Sequence, residues 1–468
     1  MSIKQRISSK LLLFGLLVAI SASAQTAAGT AAGRNLDIGA KVDFYVQPYL
    51  EGNNFSGAVF IARKGKVLVS KGYGMANYEL GAPNTPRTKF HIASVSKPFT
   101  AAAIMILQER GLLSTDHPLT KFLPDYPNGD KITLHHLLSH TSGIPNVNDF
   151  PDYDRDSKFP HTTGDLVEMF RHQPLEFQPG ERYRYSNSNY NLLAHVIEKV
   201  SGQGYGEFLK ANILTPLGMR DTGHDGRAAG LLENRASGYV PAGVSGLENA
   251  PYLDWSIKTG NGSLYSTVED LYKFDRALYA DKILKKATWG KMFVEGRGNS
   301  YGWFVRKRFH RRVAAANGRS PGFTASFERF VDDDVCVIVL SNSYSAVAQS
   351  PIADDLAAIA LGERYVVPKA IKPVKVNPKI LEAYVGRYEF GVDFFRPGAV
   401  VTIGREEDHL LMDWGGGFHA ILVPVSEREF LDRSFWARVI FAKDQKGEVT
   451  QLTWDADKAY TAKKLTGK

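Results

Sequence analysis

The sequence predicts two units in one chain: a mixed arrangement of strands and helices, α/β or α+β, over residues 45–362, and a small antiparallel β-barrel over residues 380–468. Three observations carry this expectation. Hairpin-like runs flank a helix-rich middle, a proline-spaced stretch interrupts the chain at residues 363–379, and short alternating segments follow it. The length of 468 residues agrees, since a domain usually takes about 100–200 residues. With 44% hydrophobic, 11% aromatic and 23% charged residues, the chain has material for a large core, which excludes disordered and collagen-like classes.

Taken in order, residues 1–24 run from Lys4, Arg6 and Lys10 through the apolar stretch 11–20 to Ala22-Ser23-Ala24, the pattern of a secretory signal peptide cut before Gln25. The apolar stretch falls well short of the ~20 residues that span a bilayer, so a secreted or periplasmic protein without a stable membrane span is expected. Residues 25–44 read as a leader. Residues 57–62 and 67–70 are apolar runs around the turn Arg63-Lys64-Gly65-Lys66, a hairpin. Residues 94–113 carry Phe99, Ala102, Ala103, Ile106 and Leu107 at helical spacing with Gly111 as the stop. Pro98 belongs in the first turn of that helix, where its missing N–H costs nothing. A second helix is expected at 191–200. Residues 323–330 and 335–341 form another hairpin around Asp332-Asp333-Asp334, and 352–361 a further helix. Pro368, Pro373 and Pro378 make 363–379 an extended linker. Beyond it, strands are expected at 400–403, 410–412, 420–425, 438–441 and 449–454.

Two short patterns carry chemistry. Ser94-Val95-Ser96-Lys97 opens the first long helix, and a spacing of three puts Ser94 and Lys97 on one face. A serine hydroxyl is a poor nucleophile until a neighbour takes its proton, and a desolvated lysine has its pKa lowered toward that task. In Tyr185-Ser186-Asn187 the phenol can serve as a base when cations favour its ionised form, and the asparagine amide can both donate to and accept from a substrate amide. Other constellations are set aside. His136 and His140 stand four apart, but Leu137 occupies the place where a metalloprotease motif needs Glu. Asp332 to Asp334 read as a polar turn, and the single cysteine, Cys336, as a buried apolar residue. No glycine loop for phosphate and no basic block interleaved with aromatics occurs, so neither cofactor, metal nor nucleic acid is expected.

These patterns stand in company. Phe90-His91-Ile92-Ala93-Ser94-Val95-Ser96-Lys97, the stretch Ile132 to Pro145, Tyr185-Ser186-Asn187, the stretch Gly262 to Leu271 and Ser320-Pro321-Gly322-Phe323 resemble, in order and spacing, the class C β-lactamase and penicillin-binding-protein-like serine hydrolases. The resemblance covers roughly residues 45–362. It implies an α+β, β-lactamase/transpeptidase-like fold, an antiparallel sheet flanked by helices plus a helical subdomain, with the active site between them. Leu381-Glu382-Ala383-Tyr384-Val385-Gly386-Arg387-Tyr388 resembles the opening of the lipocalin-like barrel often appended to this family.

The resemblance implies that Ser94 is acylated, that Lys97 relays its proton, that Tyr185 is the base and that Asn187 orients the scissile group. It further implies an oxyanion hole from the Ser94 N–H and an N–H just past the third motif. That motif departs from the pattern: where members have His or Lys, then Ser or Thr, then Gly, this chain has Ala316-Asn317-Gly318, followed by Arg319. Asn317, Gly318 and Arg319 are the expected substrate-binding residues there. The resulting expectation is an exported serine hydrolase cleaving an ester, a D-amino-acid peptide or a β-lactam amide in a small-molecule or peptide substrate. The alternative is a non-catalytic binding protein on the same fold with a degenerate third motif.

Overall fold

The computed structural model describes residues 37–465 except 227–229, 297, 299, 346–347, 395, 407, 416–418 and 457. The expected signal peptide and the first part of the leader lie outside the described residues. Helix α1 (Ile38–Glu51) begins within the stretch expected as leader, capped by the Asp37 carboxylate on the Ala40 N–H at 2.8 Å.

The first unit is built on a six-stranded antiparallel sheet. Its strands are β1 (Gly57–Arg63), β2 (Lys66–Tyr73), β3 (Phe304–Arg308), β4 (Arg311–Ser320), β5 (Phe323–Phe330) and β6 (Val335–Ser341), in the spatial order β3-β4-β5-β6-β1-β2. The chain ends thus meet at the β6–β1 pairing, which explains why the sequence shows hairpins on either side of the helices. Alternation along each strand feeds two cores. Phe60, Ala314, Ala316, Phe327 and Ile338 face a helical subdomain that includes α2 (Lys97–Glu109) and α3 (Asn187–Ser201). Val59, Val313, Phe330, Val337 and Val339 face α1 and α4 (Gln349–Leu361) on the other side. Cys336 is fully buried in β6 as a free thiol. The aspartates at the β5–β6 turn are held by ion pairs, among them Asp334 with Arg276 and Asp333 with Arg311.

Three helices differ from their expected limits, α4 by starting at Gln349 instead of 352. The stretch 94–113 divides into a 3-10 turn, Ala93–Ser96, and α2, which ends at Glu109 before Gly111 at φ 73°. Helix α3 starts at Asn187 instead of 191 because tertiary partners satisfy its first turn: Asn146 Oδ1 accepts from the Asn187 N–H at 2.9 Å.

Residues 386–464 close into an eight-stranded antiparallel barrel. The five expected strands are present, and Gly386–Phe390, Glu429–Asp432 and Ala459–Lys464 complete the ring, the first pairing with the last. Tyr388, Ile403, Met412, Leu422, Phe441 and Leu452 fill its interior. The barrel is docked on the first unit. The buried Arg433 guanidinium donates through Nη1 to the carbonyls of Ala242, Gly243 and Gly246 at 3.1, 2.8 and 2.9 Å, and Trp436 packs on Tyr49 of α1 with ring centres 4.9 Å apart.

Candidate active site

The 3-10 turn delivers Ser94 to the junction of the sheet and the helical subdomain. Ala93 takes a left-handed backbone at φ 45°, a conformation an alanine adopts at a cost of about 1–3 kcal/mol and keeps only where its surroundings enforce it. Part of that enforcement is β4. A Cβ on Gly318 would fall 2.2 Å from the Ile92 carbonyl and 3.0 Å from the Ser94 nitrogen, so the strand reaches the turn this closely only as glycine. From below, the Ser96 hydroxyl accepts from the Leu264 N–H at 3.1 Å.

The residues expected to act together do meet. Lys97 Nζ is 3.0 Å from Ser94 Oγ, 2.9 Å from Asn187 Oδ1 and 2.8 Å from the Asn261 carbonyl. The Tyr185 hydroxyl donates to Ser94 Oγ at 3.0 Å. Asn187 is oriented from its other end, its Nδ2 donating to Asn148 Oδ1 at 2.6 Å. Burial, reinforced by the charge of Lys258, holds the Lys97 amine well below the usual lysine range. Burial pushes the Tyr185 phenol above its usual value, and neither the Ser94 hydrogen bond nor the Arg319 charge offsets this. The resemblance assigns the base role to Tyr185. In the free site the electrostatics run the other way: the amine gives up its proton readily and the phenol keeps its own.

His140 covers Tyr185, ring centres 4.5 Å apart, and burial beside Lys97 pushes its imidazole down to about 3, so it is neutral. Its Nδ1 accepts from the Ser186 N–H at 3.2 Å, which fixes the tyrosine loop. His136 instead caps its own short helix with Thr133. Among the described residues no group of three or more His, Cys, Asp or Glu side chains is placed to hold a metal ion.

A cavity of about 510 Å3 opens over these groups, lined by Ser94, Lys97, Tyr183, Tyr185, Ala316 and Asn317 among others. The β3–β4 pairing ends at Phe304 and Ala315, and among the described residues no strand pairs with Ala316–Ser320 on that side. Along β4 the buried Ala316 and Gly318 alternate with the exposed Asn317 and Arg319. Arg319 is not one of the cavity-lining residues, yet its charge reaches both Tyr185 and Tyr344. Sequence reasoning missed Asn148, Lys258 and Asn261. Asn261 acts through a backbone carbonyl, which has no sequence signature, and Lys258 acts across space from the end of a short 3-10 turn, Trp255–Lys258.

A family model described as Beta-lactamase matches residues 42–361, and one described as a domain of unknown function (DUF3471) matches residues 370–468. Penicillin-binding protein 4* of Bacillus subtilis (strain 168) is 31% identical over 417 residues, covering 84% of this chain and 91% of that protein. Among solved structures, the octameric penicillin-binding protein homologue from Pyrococcus abyssi matches with a TM-score of 0.63 at 27% identity, over 91% of this chain and 99% of that one. D-amino acid amidase from Ochrobactrum anthropi SV3 shares the fold, with a TM-score of 0.60 at 23% identity over 68% of this chain and 96% of that one.

Proposed function

The chain belongs to the beta-lactamase family of penicillin-binding-protein-like serine hydrolases, and from that premise we propose that it is an exported hydrolase forming an acyl-enzyme on Ser94 from an ester, a D-amino-acid peptide or a β-lactam amide. The observation that carries the reading is the placement of Ser94 Oγ between Lys97 Nζ and the Tyr185 hydroxyl, 3.0 Å from each. The neutral Lys97 amine takes the Ser94 proton as Oγ attacks the carbonyl carbon. The Tyr185 phenol passes its proton to the departing oxygen or nitrogen and recovers one from the Lys97 ammonium. Water then cleaves the acyl-enzyme by the reverse transfers, which returns Ser94, Lys97 and Tyr185 to their starting states.

The substrate carbonyl is oriented by Asn187, and the developing oxyanion is met by the Ser94 N–H and an N–H on the open edge of β4. Ala316 supplies no charge at the place where the family pattern carries one, so esters and uncharged amides are favoured over carboxylate-bearing substrates. Arg319, next along the exposed face after Asn317, is one cation near such a carboxylate, and Arg306 in the cavity lining is another. Export rests on the signal-peptide pattern of residues 1–24. The decisive experiment is intact-mass analysis after exposure to a p-nitrophenyl ester, a chromogenic cephalosporin and a D-Ala-D-Ala peptide. An acyl adduct on the wild type and none on Ser94→Ala is the expected result. Equal labelling of both proteins, or no adduct and no turnover with any of the three, defeats the reading and favours the binding-protein alternative.

A further inference from the structure

The cavity that holds Ser94 does not stop at the catalytic face. Its lining also includes Phe304, Arg306, Ala315, Ser326, Glu328 and Ser350. Strand register explains the extension. Phe304, Ala315 and Glu328 are direct cross-strand neighbours on β3, β4 and β5, and Ser326 is opposite Asn317. The side chains of Ala315, Ser326 and Glu328 share the sheet face of Val313 and Phe330, the face covered by α4, on which Ser350 lies, whereas the Phe304 ring stands 6.4 Å from that of Tyr185 at the edge where the two faces meet. The space therefore passes the point where β3 stops pairing and turns round the edge of β4 into a lobe behind it.

Glu328 is the chemically demanding group in that lobe. It is 2% exposed, its Oε1 accepts from Arg306 Nη2 at 3.0 Å, and its Oε2 has no hydrogen-bond partner among the described residues. Arg306 is shared, since the same Nη2 lies 3.2 Å from Asp354 Oδ1, which also stands 3.4 Å from Arg308 Nε as an ion pair. Burial and the Asp354 charge push the Glu328 carboxyl upward while Arg306 and Arg308 oppose them. A buried carboxylate oxygen without a donor is costly, and a donor carrying positive charge relieves both the missing hydrogen bond and the desolvation. Ala315, the small residue directly opposite, leaves room beside it, and Ser326 and Ser350 add two hydroxyl oxygens able to accept. Three acceptors of this kind match the three N–H groups of an alkylammonium.

We propose that Glu328, with the hydroxyls of Ser326 and Ser350, forms a subsite for a protonated amine on the acyl donor, making Ser94 selective for substrates that carry an ammonium group. The proposal deepens the hydrolase reading and rests on it for its consequence. It differs in kind from the Arg319 contact, which would meet an anion at the other end of the same row of β4 residues.

The test compares a p-nitrophenyl ester of an ω-aminoalkanoic acid with its methyl-ended isostere, over several chain lengths. The wild type should favour the ammonium ester in kcat/KM by on the order of tenfold at the best length, and Glu328→Gln should bring the ratio close to one. A ratio in Glu328→Gln equal to the wild-type ratio overturns the subsite, as does a wild type with no preference at any length. Should Glu328→Gln not fold, inhibition of the wild type by an alkylammonium and by the matching alcohol decides: equal inhibition overturns the proposal. Calorimetric binding of the alkylammonium to Ser94→Ala, weakened at least about tenfold by adding Glu328→Gln, reads the subsite without turnover. Binding of that kind with no hydrolysis of any ester supports the subsite and defeats the hydrolase reading alone.

Discussion

In the proposed mechanism Lys97 carries the chemistry because it is buried near the charge of Lys258. An amine must be neutral to accept the Ser94 proton, and Lys97 reaches that state below the ordinary value of 10.5. For a neutral ester, kcat/KM should therefore rise on a limb lying below that value and level off above it. Lys258→Met removes a positive charge beside the amine, protonation becomes easier, and the limb should move to higher pH. A limb that stays in place in folded Lys258→Met would mean that another group controls it. Tyr185→Phe separates the two candidate bases: it should lower the rate while leaving the limb, whereas disappearance of the limb would return the base role to the phenol. The same shift has a stability consequence. Between the lowered folded value and 10.5 the unfolded chain binds a proton at Lys97 that the folded chain does not, so folding stability rises with pH in that window. Lys97→Met should flatten this dependence, as urea midpoints measured across the window would show.

Strand β4 is the element on which the site depends, and it shows both what the sequence reveals and what it hides. Gly318→Ala places a methyl carbon against the Ile92 carbonyl and the Ser94 nitrogen, both backbone atoms that cannot swing aside. It should cost about 1–3 kcal/mol in stability, read from the urea midpoint, and slow acylation of Ser94, because the turn holding the nucleophile must move. An unchanged midpoint would mean that β4 does not brace that turn. The long strands and helices were legible from period-two and period-3.6 patterns because each buries a regular face. The motif Ser94 to Lys97 was legible for a local reason, a spacing of three on a helical turn. The start of α3 at Asn187 was not, because Asn146 completes its first turn from 41 residues away. In the barrel, Ala459–Lys464 buries only Ala462 and shows little alternation of its own. Closure of the ring against Gly386–Phe390 makes it a strand. The lobe behind β4 was equally invisible, since Glu328 is an ordinary polar position until the register sets it opposite Ala315.

The sequence separates the two units at the prolines, but Arg433 joins them. Its guanidinium is 1% exposed, and a buried cation of this kind is stable only while its donors are matched. Three carbonyls of one loop, those of Ala242, Gly243 and Gly246, supply the match through Nη1, and Gly52 at the end of α1 faces Nη2 at 3.4 Å. Removing the side chain takes a charged donor away from those carbonyls, and hydrogen bonds to a charged group are worth about 1.5–3 kcal/mol each. The linker adds less. Its Val374 N–H donates to the Pro424 carbonyl at 3.0 Å and Val376 is buried against the barrel, so its second half belongs to the barrel and its cut would not by itself undock the unit. Limited trypsin digestion should accordingly nick the exposed lysines Lys369 or Lys375 first, and the two wild-type fragments should still elute together in size-exclusion chromatography. In Arg433→Met the same nick should release a folded barrel fragment, and thermal unfolding should split into two transitions. Fragments of the wild type that separate as soon as the linker is cut would show that Arg433 and Trp436 do not hold the barrel, and that the two units behave independently.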